Sequence, residues 1–232
     1  MHLSLVIPAY NEENRIGPTL SRIYGFMAEK GYKYEVMVVD DGSSDATVRE
    51  ANRSELAKVG KLRVIQNGIN RGKGFSVRNG ITQSKGMYIL FTDADLSTPI
   101  EEIDKFFACA AHGYDVVVGS RALSESIVVI HQPWYREGMG KIFNLFVKLI
   151  LMKEFNDTQC GFKLFKGDVA REIARRMKID GFCFAVEMLY LAKIKGYNIK
   201  EKGVLWNNSP ESKVRLFSSS VGMFFDLMKI RI

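Results

Sequence analysis

Short apolar runs alternate with amphipathic stretches through the first half of the chain. Residues 3–8 (LSLVIP), 34–41 (YEVMVVDD), 61–67 (KLRVIQN), 87–95 (MYILFTDAD) and 114–121 (YDVVVGSR) are dense in large and β-branched side chains. Runs of that length and type are strands buried on both faces. Between them, residues 14–31, 45–60, 72–86 and 99–113 place apolar side chains at helical spacing. Strand and helix in turn predict a mainly parallel sheet flanked by helices, an α/β fold. Beyond residue 121 the pattern is less regular. Residues 124–140 read as a loop, 138–153 as an apolar helix and 157–169 as a loop with a short strand. A helix follows at 184–196, a strand at 198–206 and an apolar, basic tail at 214–232. With no repeat, low-complexity segment or linker, one domain over residues 1–232 is expected.

The polar residues gather where the strands stop. The first run ends in Pro8, Ala9, Tyr10, Asn11 and Glu12, and the second in Asp40, Asp41, Gly42 and Ser43. The fourth ends in Asp93 and Asp95, and the fifth in Gly119, Ser120 and Arg121. Parallel α/β sheets bind ligands beyond the carboxyl ends of their strands. On an extended chain Asp93 and Asp95 share one side. Two such anions repel unless protonated or met by a cation, and a hard divalent ion would bridge carboxylate to phosphate. The competing reading is capping of the helix that opens in STPIEEIDKFF.

Several chemistries are disfavoured. PAYNEENRIG lacks the G-x-G-x-x-G of a dinucleotide site, and GINRGKGF (68–75) is not a P-loop. VVDDGSS suits a phospho-accepting receiver domain, but that would leave the second half unexplained. A nucleotidyltransferase would carry a glycine- and lysine-rich loop after the first strand, which is missing.

Composition adds a partner class. Of 232 residues, 47% are hydrophobic and 25% charged, which is ordinary for a globular chain; the net charge of +7 favours an anionic partner. No recognition-helix or aromatic RNA-binding signature is present, so nucleic acid is not the expected partner. Cys109, Cys160 and Cys183 are widely spaced and odd in number, so neither a disulfide framework nor a zinc site is expected, and a reducing cytosol is. The opening LSLVIPAYNE reads as a strand and not as a leader. The longest apolar stretch, 142–155, contains Lys148 and is shorter than the ~20 residues of a spanning helix.

LVIPAYNEE, VVDDGSSDAT, NRGKGFSVRNG, FTDADLSTP, GSR, QPWYRE, DTQCGFKLF and FAVEMLYLA occur in that order. The chain thereby resembles family 2 glycosyltransferases of the GT-A fold. Within them it is most similar to dolichyl- or polyprenyl-phosphate glucosyltransferases and their mannosyltransferase relatives. The likeness implies an inverting transfer of a hexose from a nucleotide sugar to a polyprenyl or dolichyl phosphate. UDP-glucose is the first donor expected and GDP-mannose the second. It implies Mg²⁺ or Mn²⁺ on Asp95, with Asp93 facing ribose or sugar. Pro8, Ala9, Tyr10, Glu12 and Asp41 would surround the nucleoside. Arg121 and Arg136 would meet phosphate, Gln159 and Lys163 the acceptor side, and Glu187 a sugar hydroxyl. Residues 1–121 would form the nucleotide-sugar half and 122–232 the acceptor half.

One position departs from that pattern: relatives commonly read Phe-Asp-Val-Glu where this chain has Phe184, Ala185, Val186 and Glu187. The missing carboxylate keeps open a non-catalytic protein that only binds nucleotide sugar or lipid phosphate. A phosphate acceptor, however, is already an anionic nucleophile and needs little help from a base. A lipid acceptor also implies a chain that lies peripherally on the cytoplasmic, inner face of a membrane. Helical spacing brings Ile142, Phe143, Phe146, Leu149 and Ile150 together beside Lys141, Lys148 and Lys153. The tail offers Phe224, Phe225, Leu227 and Met228 beside Arg215, Lys229 and Arg231.

Overall fold

The structure, a computed structural model, describes residues 2–208 and 216–231. Each apolar run of the first half forms a strand, and each amphipathic stretch a helix. β1 (His2–Ala9) leads to α1 (Glu13–Lys30), and β2 (Lys33–Asp40) to α2 (Thr47–Arg53) and α3 (Glu55–Lys58). β3 (Leu62–Gln66) leads to α4 (Lys73–Gln83), and β4 (Tyr88–Thr92) to a 3₁₀ turn (Ile100–Glu102) and α5 (Ile103–Ala111). β5 (Val116–Ser120) closes this half. The helical stretch 45–60 is broken at Ser54, whose extended backbone ends α2 and whose hydroxyl accepts the Ala57 N–H to cap α3.

The second half supplies β6 (Ile127–Ile130), α6 (Trp134–Ile150), β7 (Phe162–Lys166) and α7 (Gly167–Arg176). α8 (Phe184–Ile194), β8 (Ile199–Gly203), β9 (Leu205–Asn207) and α9 (Leu216–Arg231) follow. The main sheet has seven strands in the order β3-β2-β1-β4-β7-β5-β8. All neighbours are parallel except β7, which runs antiparallel to both β4 and β5. This is a mixed α/β domain with a mostly parallel sheet between helices.

Strand alternation builds two cores. Leu3, Leu5 and Ile7 of β1 point to one face, where Ile16, Leu20 and Ile23 of α1 and Ile103 and Phe106 of α5 cover them. Val6, Met37 and Val39 point to the other, against Val77 and Ile81 of α4, Ile173 of α7 and Leu189 of α8. Full burial of each such side chain stabilises by about 1.5–3 kcal/mol, enough to lock the register that brings the strand ends level.

The second half differs from the sequence expectation in four places. Residues 124–140 are not a loop: β6 pairs in parallel with β9, and α6 begins at Trp134. Gly138 and Gly140 weaken helix propensity there, but packing of α6 against α9 overrides it. α7 is a helix that the sequence reading does not predict; its buried stripe is Val169, Ala170, Ile173 and Ala174, with charged residues between them. The strand expected over 198–206 is two strands parted at Val204, one pairing with β5 and the other with β6. On α6 the apolar residues divide: Phe143 and Ile150 pack on the core, whereas Ile142, Leu145, Phe146 and Leu149 face outward. On α9, Leu227 is buried and Phe224, Phe225 and Met228 are exposed; Arg215 lies outside the described residues.

Candidate active site

The carboxyl ends of β1, β2, β4 and β5 open into one cavity of about 580 Å³. Pro8, Ala9, Tyr10, Glu12, Asp41, Asp93, Asp95, Arg121 and Gln159 all line it. Residues separated by up to 151 positions thus meet because parallel strands end on the same side of the sheet.

The turns behind this wall are held by side chains. Asn11 sits at φ 55°, and its N–H donates to Ser43 Oγ (2.9 Å) while its Oδ1 accepts from Ser44 N (2.9 Å). Asp40 accepts from Ser43 N (3.3 Å) and orients the same turn. Asp41 is 4% exposed and accepts from Asn67 Nδ2 (2.8 Å), Arg71 N (3.0 Å) and Gly72 N (2.8 Å). Three of the roughly four acceptor positions of a carboxylate are therefore filled. Asp41 fixes the 67–72 turn and keeps one lone pair for the cavity. Glu12 forms an ion pair with Arg15 (2.5 Å).

Asp93 and Asp95 stand at the centre. Neither caps the following helix: Asp95 Oδ1 accepts from Ser97 N (2.9 Å), and the 3₁₀ turn starts only after Pro99. Burial, followed by the nearby Asp93 charge, holds the Asp95 carboxyl above the usual carboxylate range. Lys73, the first residue of α4, sets its ammonium 2.7 Å from Asp93 Oδ1. That oxygen is buried and has no aligned hydrogen bond. Among the described residues no three His, Cys, Asp or Glu side chains converge to cage a metal. A pair of carboxylates beside open space fits a cation that takes its remaining ligands from phosphate and water, the usual habit of Mg²⁺.

Arg121 is gripped by Asp157: Nε to Oδ2 is 2.6 Å, Nη2 to Oδ1 is 2.9 Å, and the backbone N–H adds a bond of 3.0 Å. Its guanidinium lies 5.4 Å from the centroid of the Trp206 ring. Burial alone would raise the Asp157 pKa, but the arginine's charge and hydrogen bonds bring it to about 2. Gln159 presents an Nε2 that is buried and without a partner.

Three nominated residues do not line the cavity. Lys163 is fully buried as the second residue of β7; its ammonium donates to the Cys160 carbonyl and lies 5.9 Å from the Phe91 ring. Burial lowers its pKa. Glu187 is 4% exposed, and its oxygens accept from Lys178 N (2.8 Å) and Ile179 N (3.0 Å). It anchors the segment that brings Phe182 to the cavity and is not presented to a sugar. Arg136 lies in the first turn of α6, off the lining, with a buried Nε that has no partner. Ala185 does reach the wall, beside Phe184.

Lys73, Asn70, Gln132, Trp206 and Asn208 also line the cavity and were not singled out in the sequence. Lys73 had a signal: a cation just after Gly72, whose φ of 103° turns the chain into α4. Asn70, Gln132 and Asn208 come from loops, and Trp206 from the short strand β9.

The family model described as "Glycosyl transferase family 2" matches residues 4–174. A dolichyl-phosphate β-glucosyltransferase of Dictyostelium discoideum is 35% identical over 242 residues, covering 100% of this chain and 74% of that protein. The protein of the same name from Drosophila melanogaster is 35% identical, over 99% of this chain and 74% of its own. Among solved structures, glucosyl-3-phosphoglycerate synthase of Mycobacterium tuberculosis with UDP superposes with a TM-score of 0.71 at 16% identity, covering 99% of this chain and 80% of that one. The same enzyme with Mn²⁺, UDP and glucosyl-3-phosphoglycerate gives 0.69 at 16% identity, over 99% and 79%. The chain belongs to glycosyl transferase family 2 and is a glycosyltransferase of the GT-A fold.

Proposed function

We propose that the chain transfers glucose from UDP-glucose to dolichyl or a related polyprenyl phosphate, with inversion to a β-linked lipid phosphoglucose. The observation that carries this reading is the full-length likeness to dolichyl-phosphate β-glucosyltransferases. The cavity supplies matching chemistry. Pro8, Ala9, Tyr10, Glu12 and Asp41 take the nucleoside, and Asp93 takes ribose or sugar hydroxyls as a fixed acceptor. Asp95 would hold a divalent cation, Mg²⁺ or Mn²⁺, which compensates charge on the departing diphosphate. Lys73 is the second positive charge on that side. Arg121 and Gln159 face the incoming phosphate, and Arg136, off the cavity lining in the first turn of α6, is assigned to phosphate as well. The acceptor is an anion that attacks the anomeric carbon opposite the diphosphate, so Ala185 in place of an acid leaves the reaction feasible. On this reading residues 1–121 carry the donor and 122–232 the acceptor.

The lipid tail sets where the reaction occurs. Each methylene kept out of water is worth about 0.8 kcal/mol, so the protein goes to the bilayer. Among the described residues no helix is long and apolar enough to cross a membrane. Phe146 of α6 and Phe224 of α9 meet edge to face at 5.3 Å, joining Ile142, Leu149, Phe225 and Met228 into one exposed apolar patch. Lys141, Lys153, Lys229 and Arg231 are exposed on the same two helices or just beyond them. We assign this patch to the cytoplasmic surface of a membrane carrying the acceptor.

The test is transfer of radiolabel from UDP-glucose or GDP-mannose to a short polyprenyl phosphate, read after lipid extraction. Label in the lipid phase from UDP-glucose is expected. Preference for GDP-mannose would replace the donor, and label in neither lipid fraction would overturn the reading.

A further inference from the structure

Gly161 has no conformational reason to be glycine. Its φ lies outside the left-handed region that seven other glycines of the chain occupy. The reason is its neighbour. β7 pairs antiparallel with β4 in the register Thr92–Phe162, and continuing that register by one residue sets Gly161 opposite Asp93. Directly opposed residues hold their Cβ atoms about 5 Å apart, and here the Asp93 carboxylate folds across the vacant side of Gly161. A Cβ at 161 would overlap Asp93 Oδ2 and Cγ and lie 2.8 Å from Oδ1. All three of the nearest atoms belong to that one carboxylate. By contrast, a Cβ at Gly138 or Gly140 would meet nothing within 4 Å.

The backbone at 161 cannot retreat. Asp157 Oδ1 accepts from Gln159 N (3.0 Å) and Cys160 N (3.2 Å), and the buried Lys163 ammonium holds the Cys160 carbonyl. On its other side Asp93 meets Lys73 at 2.7 Å. The carboxylate is thus confined between a rigid backbone and an ammonium. We propose that Gly161 is a positioning residue: its bare backbone, braced by Asp157 and Lys163, sets the direction in which Asp93 faces the cavity. The consequence for catalysis rests on the donor-site reading above; the geometric coupling does not. A role also follows for the buried Lys163, which supports the wall against which Asp93 rests.

A double-mutant cycle of Gly161→Ala and Asp93→Ala tests this, with UDP-glucose affinity (with and without Mn²⁺) and thermal unfolding measured on all four proteins. In the wild-type background Gly161→Ala should weaken UDP-glucose at least tenfold and lower the unfolding midpoint by a few degrees. In the Asp93→Ala background, where the opposing atoms are gone, the same change should alter neither. Equal losses in both backgrounds would overturn the proposal, as would a wild-type background in which neither affinity nor the unfolding midpoint falls. If the unfolding midpoints are non-additive but no variant changes UDP-glucose affinity, Gly161 still positions Asp93 and it is the donor assignment that fails.

Discussion

Asp157 reaches 36 residues back along the chain to clasp Arg121 with both carboxylate oxygens, at 2.6 and 2.9 Å. The pair ties the end of β5 to the 157–161 segment across the cavity wall. It also commits part of the arginine fork to protein before any phosphate arrives. Arg121 therefore has a structural duty that the resemblance alone does not convey, whereas among the described residues no carboxylate grips Arg136 in this way.

That difference gives the first prediction. Arg121→Ala leaves Asp157 buried without its counter-charge, and loss of one partner of such a pair should cost about 3 kcal/mol of stability. Arg136→Ala should leave chemical denaturation unchanged within error while lowering transfer at least tenfold. Lysine at 121 should recover part of the stability but less of the turnover, because it lacks the fork. Equal stability of both alanine variants would contradict this account of the pair.

The same pair sets an acid limit. The folded-state pKa of Asp157, about 2, lies below its ordinary value of 3.8. A depressed carboxylate pKa contributes stability that is fully present above the unfolded value and is lost as pH falls through the folded one. About 2 kcal/mol should therefore disappear between pH 5 and pH 2. Asp157→Asn should be less stable than the wild type at pH 7, and the gap between them should close toward pH 2. A constant gap over that range would show the carboxylate's charge to be irrelevant.

For the metal, chelation should abolish transfer, and Mg²⁺ or Mn²⁺ should restore it. Asp95→Asn should lose most activity yet unfold near the wild-type temperature, since its main-chain contact is one bond to Ser97. Full activity in excess EDTA would remove the cation from the reaction.

Glu187 makes the opposite prediction. Glu187→Ala deprives the part-buried Lys178 N–H and the buried Ile179 N–H of their acceptor, at about 1–3 kcal/mol for the buried group left unpaired. The variant should be unstable, and loosening of the Phe182 segment should reduce activity in parallel with folded protein. A variant of normal stability that has lost sugar discrimination would return Glu187 to the substrate.

For the membrane, anionic vesicles should co-sediment with the protein, and salt should weaken binding without eliminating it. Phe224→Ser with Phe225→Ser should reduce both vesicle binding and transfer to long-chain acceptors, while hydrolysis of the donor by water changes far less. Equal loss of both reactions with vesicle binding intact would make these rings structural.

Residues carried on β-strand ends were legible from the sequence, because a parallel sheet brings every carboxyl end to one rim whatever its strand order. Asp41, Asp93, Asp95 and Arg121 are of this kind. Lys163 and Glu187 were misplaced because a motif records residue type and not depth. Lys163 sits inside the sheet, and Glu187 spends its oxygens on a loop nine residues away in sequence. The cavity roles of Trp206 and Asn208 were not readable, since they depend on β9 pairing with β6, and 124–140 has the glycines and proline of a loop. Insertion of β7 between β4 and β5 was equally hidden: strand–helix alternation reports sequence neighbours, and at Leu164 this strand's partners, Leu90 and Val117, are 74 and 47 residues away.

The most direct test is the structure of the product itself. Purified chain, UDP-glucose, Mg²⁺ and a short polyprenyl phosphate should yield a glucosyl phosphate lipid, formed with stoichiometric release of UDP. In its proton NMR spectrum the anomeric proton should show the large coupling of a β-linked sugar and a further coupling to phosphorus. An α-anomer would contradict inversion, and free glucose or UDP without any phosphorus-coupled lipid sugar would contradict transfer to a lipid phosphate.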